Sequence, residues 1–335
     1  MNMKHWLEQL RNSPHKLPLP LLSFPSSSLL GISVRELIAN SSLQAEGMTR
    51  IAARHATAAS VSMMDLSVEA EAFGSPIIVS DDEVPTVQSA IVTTPEEAEA
   101  LAVPSVHAGR CPIYIESIRL AKQSITDRPV LAGVIGPFSL AGRLMDVSEV
   151  MINCYVEPDM VHATLKKATA FLIGYIRAYK AAGADGIVMA EPLTGMLSPG
   201  LVDDFSSDYV RQIVKSVQDD DFIVIYHNCG DNTPLMVDSI LSTGAAAYHF
   251  GNAIRMVDML DRFPTDTLVM GNLDPAGQLK GGTPASVREE TLRIMGECCS
   301  HPNFVISTGC DVPPASPWDN IDAFFAAVEE FYQKQ

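Results

Sequence analysis

Short apolar runs alternate with helix-length amphipathic stretches along most of the chain, and this alternation restricts the possible folds more than any other feature. The runs are rich in β-formers and end at Gly, Pro, Asp or Asn, which is typical of buried parallel strands. Strand–helix alternation indicates a parallel sheet, and about eight strands favour a closed (β/α)8 TIM barrel. The predicted strands are Leu19–Phe24, Ser60–Leu66, Val130–Ile135, Gly186–Ala190, Phe222–Tyr226, Ala245–Phe250, Thr267–Met270 and Phe304–Ser307. Apolar residues at helical spacing predict helices over Pro158–Ala182, Asp203–Val217, Pro284–Cys299 and Pro317–Tyr332.

An open, doubly wound α/β sheet is the alternative that the same alternation allows. A dinucleotide-binding sheet carries Gly-x-Gly-x-x-Gly after an early strand, and this sequence has no such motif. We therefore expect residues 1–335 to form a single TIM-barrel catalytic domain with an N-terminal helical elaboration. Residues 1–60 are expected to be an N-terminal segment that includes the first strand, and residues 75–125 an insertion with a helix at Pro95–Leu101. The second strand is the least defined, because Met63 and Met64 fit a helix equally well.

The charge and the cysteine content exclude several classes of function. Lys and Arg number 23 and Asp and Glu number 40, which gives a formal net charge of −17. A binder of nucleic acid or of an anionic membrane surface needs a basic face, so neither partner is expected. Lys4, Glu8 and Arg11 interrupt the place where a secretory signal would be apolar. Six irregularly spaced cysteines do not suggest a disulfide framework, so a reducing, cytoplasmic compartment is expected.

Most of the unusual polar residues follow predicted strands directly, at the end where barrel enzymes place their chemistry. His227 and Cys229 stand at the end of the fifth predicted strand, and Cys310 follows the last one. In an extended chain, residues i and i+2 point to the same side, so this imidazole and this thiol can bind one ion. The other polar residues in such places are Asp65, Glu69, Glu71, Glu191, Asp231, His249, Asn272, Asp274 and Asp311.

Two thiolates and one imidazole form a natural zinc set, and three protein ligands leave the fourth position open, as in catalytic zinc sites. Zn²⁺ with these ligands has no net charge, so it polarises carbonyls weakly but keeps a bound substrate thiol deprotonated. This charge balance favours alkylation of a thiol over hydrolysis, for which zinc sites more often use histidine and carboxylate ligands. The alternative is that Cys229 and Cys310 are small core side chains and that His227 is satisfied by backbone groups.

Five stretches of the chain, taken in order, carry recognisable motifs. They are residues 67–74 (Ser-Val-Glu-Ala-Glu-Ala-Phe-Gly), 136–141 (Gly-Pro-Phe-Ser-Leu-Ala), 226–231 (Tyr-His-Asn-Cys-Gly-Asp), 271–275 (Gly-Asn-Leu-Asp-Pro) and 307–314 (Ser-Thr-Gly-Cys-Asp-Val-Pro-Pro). Together they resemble the uroporphyrinogen decarboxylase superfamily and, within it, the zinc-dependent methylcobamide:coenzyme M methyltransferases. The likeness extends over about residues 60–332 and implies a uroporphyrinogen decarboxylase-like TIM barrel.

Within this superfamily the sequence favours methyl transfer. Decarboxylases carry N-terminal arginines that bind porphyrin carboxylates, and the matching segment Leu21–Ser28 has none. The resemblance implies that His227, Cys229 and Cys310 bind zinc. It also implies that a methyl group passes from a methylated corrinoid (methylcobamide) on a corrinoid protein to a zinc-activated thiol such as coenzyme M. The alternatives are the same donor with another acceptor (another thiol or tetrahydrofolate), a uroporphyrinogen decarboxylase, and a corrinoid- or tetrapyrrole-binding protein without catalysis.

Four more residues are expected to bind substrate: Glu191, His249, Asn272 and Glu71. Glu191 is a lone carboxylate at the mouth of the barrel, and helix capping or an ion pair is the alternative. His249 either lines the pocket, completes the zinc shell or is a hydrogen-bonded wall residue. Glu71 either reaches the pocket or lies on a solvated helix face.

The remaining polar and thiol side chains receive supporting roles. Asp231 and Asp311 follow the predicted ligands directly and are expected to orient them as hydrogen-bond acceptors. Asp274 is expected to cap the turn that follows it, together with Asn272. The other four cysteines are expected in the core; they are Cys111, Cys154, Cys298 and Cys299.

Overall fold

Seven parallel strands form the central sheet of the computed structural model, which describes residues 1–334. Every residue of these strands is buried, as expected for a sheet that is covered on both faces. The strands are β1 (Ser60–Val61), β4 (Val130–Ile135), β5 (Gly186–Ala190), β6 (Ile223–Asn228), β7 (Ala247–Phe250), β8 (Leu268–Leu273) and β9 (Phe304–Thr308). They lie in the sheet in this order, so each strand pairs with the next one along the chain apart from a small excursion after β1. In the excursion, β2 (Ile77–Ile78) and β3 (Thr86–Val87) form a separate antiparallel pair.

The gap between the two edge strands is filled by an extended segment, residues 18–22, where the first strand was predicted. Leu19 N donates to Ile306 O of β9 (3.0 Å), and Ala58 N, two residues before β1, donates to Pro18 O (2.9 Å). The segment is not a regular strand, because Pro18 and Pro20 have no N–H groups to donate to a neighbouring strand. Seven strands and this closing segment therefore confirm the TIM-barrel-like fold, with one strand fewer than predicted.

The strand boundaries differ from the prediction mainly at the carboxyl ends. The second predicted strand is regular only over Ser60–Val61, and Met63 and Met64 are buried in irregular backbone rather than in a helix. Strand β6 runs two residues beyond the predicted Tyr226, so His227 lies on the strand itself. Strand β8 likewise extends to Leu273.

Helices surround the sheet, and one of them also packs against the inward-facing residues of the barrel. The four long predicted helices are present, although residues 203–207 form a π-helical turn before α12 rather than its first turn. The helices are α1 (Met3–Asn12), α2 (Ser26–Leu30), α3 (Val34–Ile38), α4 (Ser41–Arg54), α5 (Val68–Ala72), α6 (Pro95–Ala100), α7 (Cys111–Ser124), α8 (Pro137–Met145), α9 (Val147–Val156), α10 (Pro158–Ala181), α11 (Pro199–Val202), α12 (Asp208–Val217), α13 (Val237–Ser242), α14 (Met256–Leu260), α15 (Pro284–Cys298) and α16 (Trp318–Gln333). Short 3₁₀ turns cover Pro192–Met196 and Thr233–Met236, and a second π turn covers Pro275–Lys280.

The hydrophobic core has two parts, one inside the barrel and one between the sheet and the helices. Helix α1 is the N-terminal elaboration: its Met3 is fully buried among the inward-facing strand residues, and Met3 N donates to Asp220 O (2.7 Å). Cys111, Cys154 and Cys298 are buried in the outer core, and Cys299 packs against it. Within residues 1–334, none of the helices is both long enough and apolar enough to span a bilayer. Gln335, the last residue of the predicted domain, lies outside the described residues.

Candidate metal centre

His227, Cys229 and Cys310 come together at the carboxyl end of the barrel. Their ligand atoms all lie within 4.8 Å of one another, and Cys310 Sγ is 3.7 Å from His227 Nε2. His227 is the fifth residue of β6 and Cys229 follows that strand, so extended backbone points both side chains the same way. Cys310 lies in the turn after β9, which is three strands away from β6 in the sheet order. Among residues 1–334 this is the one group of three or more His, Cys, Asp or Glu side chains with such spacing.

The burial of the three side chains differs in a way that suits an open metal site. The His227 residue is 1% exposed, whereas Cys229 and Cys310 are partly exposed at the mouth. A close approach of two loops shapes this edge, because a Cβ at Gly251 would lie 2.5 Å from Cys229 Cβ. Only glycine therefore allows the loop after β7 to pass so near to Cys229.

The two thiols affect each other's ionisation. The neighbouring Cys310 lowers the pKa of Cys229 below its ordinary value. Cys229, together with burial, raises the pKa of Cys310 to about 12. A metal ion binds thiolates, so its entry would displace the thiol protons. Two sulfurs, one imidazole nitrogen and a partly open face match the donor set and the coordination number of a catalytic zinc site.

His249 lies directly behind His227 and is fully buried. Strands β6 and β7 pair these two residues in register, and their Nδ1 atoms are 2.8 Å apart. The other ring nitrogen of His249, Nε2, is 2.7 Å from Ser307 Oγ. Burial and the neighbouring His227 lower the pKa of His249 well below its ordinary value, so the ring is neutral. With both nitrogens engaged, His249 supports His227 from behind instead of offering a nitrogen to the mouth.

Glu191 is fully buried at the end of β5, and its carboxylate caps the N-terminus of α8. Its Oε1 accepts from Phe138 N (2.9 Å), and its Oε2 accepts from Ser139 N (3.0 Å) and Ser139 Oγ (2.7 Å). Burial raises the pKa of Glu191 to about 7, and these hydrogen bonds oppose the rise. A direct contact with substrate would require Glu191 to give up one of these bonds, so the structure favours the capping alternative.

Asn272 holds the loop that passes Cys229. Its Nδ2 donates to Gly251 O and to Ile254 O, both at 2.9 Å. Asn272 also lines a cavity of about 350 Å³, together with Asn252, Arg255 and other polar residues of the loops after β7 and β8. None of the three predicted ligands lines this cavity, whose other wall is formed by α15, so the cavity does not connect Asn272 with the predicted metal site.

Glu71 belongs to a separate polar cluster. Its Oε2 accepts from Arg110 Nε (2.6 Å), and Arg110 also forms an ion pair with the buried Asp65 (2.5 Å). Tyr114 donates to the same Asp65 carboxylate (2.6 Å). Glu71 is thus one member of an ion-pair network between α5 and α7, and its predicted contact with substrate stays a prediction.

The three supporting aspartates behave differently from one another. Asp274 caps the π turn as expected, accepting from Ala276 N (3.0 Å) and Gly277 N (2.9 Å). Asp231 is exposed. Both oxygens of Asp311 are buried without a hydrogen-bond partner among the described residues, so the expected bond to a ligand side chain is absent. Burial and the neighbouring Cys310 raise the pKa of Asp311 well above its ordinary value.

Two further polar residues were not singled out from the sequence. Ser307 contacts His249, and its signal was a hydroxyl at the end of an otherwise apolar strand. Arg143, on α8, is half-buried and makes no hydrogen bond or ion pair with residues 1–334, whereas every other arginine contacts a carboxylate or a carbonyl. Burial lowers the pKa of Arg143, and Asp65, already bound by Arg110, opposes this.

Known proteins resemble this chain over almost its whole length. A methylcobamide:CoM methyltransferase MtbA from Methanosarcina acetivorans is 25% identical over 271 residues, which cover 80% of this chain and 78% of the relative. A uroporphyrinogen decarboxylase from Alcanivorax borkumensis is 24% identical over 314 residues, which cover 90% and 87%. The solved structure of a methyltransferase from Methanosarcina mazei superposes with a TM-score of 0.86 at 23% identity and covers 99% of this chain and 98% of that one. The last likeness shows the fold.

The family description "Uroporphyrinogen decarboxylase (URO-D)" matches residues 26–331. This match includes all seven strands of the sheet and all three predicted metal ligands. It leaves out α1 and the closing segment at residues 18–22. The resemblance seen in the five sequence motifs is thereby confirmed, and the chain belongs to the uroporphyrinogen decarboxylase (URO-D) family.

Proposed function

We propose that this protein is a zinc-dependent methyltransferase. It moves a methyl group from a methylated corrinoid, presented by a corrinoid protein, to a thiol such as coenzyme M. The observation that carries the proposal is the His227–Cys229–Cys310 group, whose donor atoms lie within 4.8 Å of one another at a partly open edge of the mouth. The Methanosarcina acetivorans relative, named a methylcobamide:CoM methyltransferase, supports the same reaction class.

The charge of the ligand set supports a thiol as the acceptor. Two thiolates and a neutral imidazole balance the two positive charges of Zn²⁺, so a substrate thiolate added at the fourth position makes the complex anionic. When bound, the zinc ion keeps the acceptor sulfur deprotonated at neutral pH. A carbonyl or water substrate would gain less from such an electron-rich centre.

The residues of this chain hold and orient the reacting group. His227, Cys229 and Cys310 would bind the ion, and the buried side of His227 excludes water from that face of the site. Gly251 and Asn272 fix the loop against Cys229, which limits the directions in which that sulfur can turn. The corrinoid would approach from the open mouth, so that the acceptor sulfur meets the methyl carbon in line.

The bonds in this reaction balance without an additional oxidant or reductant. The sulfur electron pair forms the new C–S bond, and the electron pair of the Co–C bond stays on cobalt. The corrinoid therefore leaves as its Co(I) form, and the acceptor leaves as a methyl thioether. The thiol proton would pass to solvent, because a zinc ion held by His227, Cys229 and Cys310 would favour the thiolate form of the acceptor.

Arg143 supports an acceptor that carries an anionic group. It lies on α8, which begins directly after β4, and its strongest charged neighbour is Asp65. Because Arg110 already neutralises Asp65, the guanidinium of Arg143 remains available to a sulfonate, carboxylate or phosphonate. Coenzyme M and tetrahydrofolate both satisfy this requirement, and a neutral thiol does not.

All six cysteines of the described chain are free thiols. Free thiols support a reducing compartment, and we place the reaction in the cytoplasm.

The segment 21–28, which has no arginine, gives no support to porphyrinogen decarboxylation. A different observation disfavours a tetrapyrrole-binding protein without catalysis. Such a protein would not need the three predicted metal ligands that lie together at the mouth.

Metal content and methyl transfer test the proposal together. The purified protein should contain one zinc ion per chain and should convert methylcobalamin plus a thiol into Co(I) corrinoid and a methyl thioether. Cys229→Ser and Cys310→Ser should each lose metal and activity, whereas Cys299→Ser, outside the site, should keep both. Full activity in both site variants, or turnover of porphyrinogen in place of methylcobalamin, would overturn the proposal.

A further inference from the structure

We infer that a buried hydrogen-bond relay, running from the Leu19 carbonyl through Ser307 and His249 to His227, fixes the tautomer of His227. The relay leaves the Nε2 lone pair of His227 facing the two thiols. His249 and Ser307 are then positioning residues for the predicted metal ligand. The inference rests on the proposed function only in naming a metal ion as the group that this lone pair binds.

Three short contacts form the relay. His227 Nδ1 and His249 Nδ1 are 2.8 Å apart, and His249 Nε2 is 2.7 Å from Ser307 Oγ. Ser307 Oγ is 2.6 Å from the carbonyl oxygen of Leu19. His249, Ser307 and Leu19 are fully buried, and His227 is 1% exposed, so water does not compete for any of these groups.

The direction of every hydrogen bond follows from the last one. The Leu19 carbonyl has no proton, so Ser307 must donate its single hydroxyl proton there. The Ser307 oxygen then accepts from His249, which places the His249 proton on Nε2. His249 is fully buried and its two ring nitrogens contact only His227 and Ser307, with no carboxylate to stabilise a second proton, so its Nδ1 is an acceptor and receives the proton of His227 Nδ1. His227 Nε2 is thereby left without a proton and lies 3.7 Å from Cys310 Sγ.

Both the position and the orientation of His227 depend on this arrangement. The register of β6 with β7 pairs His227 with His249, and the two rings meet edge to face at 69° with centroids 4.7 Å apart. If His227 instead carried its proton on Nε2, that nitrogen could not bind a metal and two acceptor nitrogens would face each other at Nδ1. Two acceptor nitrogens that face each other without a proton, in a place that water does not reach, are strongly unfavourable, and this selects the tautomer with the proton on Nδ1.

The relay also connects the metal ligand to the closure of the barrel. Leu19 belongs to the closing segment at residues 18–22, whose backbone is bonded to β9 on one side and to the approach to β1 on the other. Its carbonyl accepts the Ser307 proton only when the segment is in place. The closing segment therefore helps to fix the tautomer of His227, which lies on β6, three strands away from β9 in the sheet.

The tautomers are measured directly in the metal-free, full-length protein by nitrogen NMR of ¹⁵N-histidine-labelled samples. His227 should be protonated at Nδ1 and His249 at Nε2, and His227→Gln and His249→Gln samples assign the signals. His227 protonated at Nε2, or a mixture of both tautomers, would overturn the inference. This measurement does not depend on whether the protein binds zinc or transfers methyl groups.

Metal affinity gives a second, independent readout with matched variants. Ser307→Ala and His249→Leu should weaken zinc binding, measured by competition with a chromophoric chelator, by about 10- to 100-fold. Ser307→Thr keeps the hydroxyl and should stay within about threefold of wild type. Ser75→Ala removes a buried hydroxyl that has no hydrogen-bond partner within residues 1–334, and it serves as the control for folding. Equal zinc affinity in Ser307→Ala, His249→Leu and Ser75→Ala would overturn the inference. If the wild-type protein shows the expected tautomers by NMR but transfers no methyl group, that result counts against the proposed function alone.

Discussion

Replacing Glu69 by glutamine should make the stability of this protein much less dependent on pH. Glu69 lies on α5 with its carboxylate fully buried. One oxygen accepts from Ile135 N (3.1 Å), and the other has no hydrogen-bond partner among the described residues. Burial raises the pKa of Glu69 from 4.5 to about 8, and Asp65 adds to the rise. The carboxylate is therefore poorly compensated once it loses its proton.

The size and the sign of the effect follow from these two pKa values. Below pH 4.5 the group is protonated in both the folded and the unfolded chain, so it adds no pH dependence. Between pH 4.5 and about 8 the folded protein keeps a proton that the unfolded chain has released. Over this range the free energy of unfolding falls by about 1.4 kcal/mol per pH unit. The accumulated loss is about 5 kcal/mol at pH 8 and does not grow further above it.

Urea denaturation of wild type and Glu69→Gln, followed by tryptophan fluorescence between about pH 5 and pH 9, measures this difference. Glutamine keeps the shape and the acceptor for Ile135 N but does not ionise, so the variant should gain stability relative to wild type as the pH rises. Glu99→Gln, on the exposed surface of α6, controls for the loss of one negative charge. A difference between Glu69→Gln and wild type that stays constant over the whole pH range would refute the argument.

Two further predictions concern the predicted metal ligands and the acceptor. Zinc uptake should release protons and tighten as pH rises, because Cys310, whose pKa is raised to about 12 by Cys229 and by burial, must lose its proton before both sulfurs bind metal. Calorimetry in buffers of different ionisation enthalpy counts these protons, and a pH-independent affinity would contradict this argument. Arg143→Gln should lower kcat/KM for 2-mercaptoethanesulfonate by about 10- to 100-fold, the value of one charge-assisted hydrogen bond, and should leave 2-mercaptoethanol within about twofold. Equal losses for both thiols in steady-state assays would remove Arg143 from acceptor recognition.

The sequence predicted the fold well because its signals are local. Buried strands require continuous apolar runs, and six of the eight predicted runs lie within three residues of an observed strand at both ends. The first predicted strand, Leu19–Phe24, is not a regular strand in the structure, and the reason is also local. Pro18 and Pro20 remove alternate N–H donors, and apolar character alone does not reveal this.

The candidate site was predictable only in part. The spacing of His227 and Cys229 is a local signal, and the barrel geometry was sufficient to add Cys310. The surroundings of Glu191 and His249 were not predictable, since their hydrogen bonds come from α8 and β9, which are distant in the sequence. A polar residue at a strand end can face the mouth or turn into the wall behind it, and the neighbours that decide between the two are tertiary.

The closing segment at residues 18–22 has a consequence for how the protein is made. Leu19 and its hydrogen-bond donor Ser307 are separated by 288 residues. At about 5–20 residues per second, the ribosome adds Ser307 roughly 15–60 s after Leu19. During this interval the nascent barrel is an open sheet, and its leading edge, β1, has only two residues, too few to recruit a foreign strand readily. Barrel closure therefore waits for Ser307, and Cys310 follows it by three residues, so until then the nascent chain lacks one of the three predicted metal ligands.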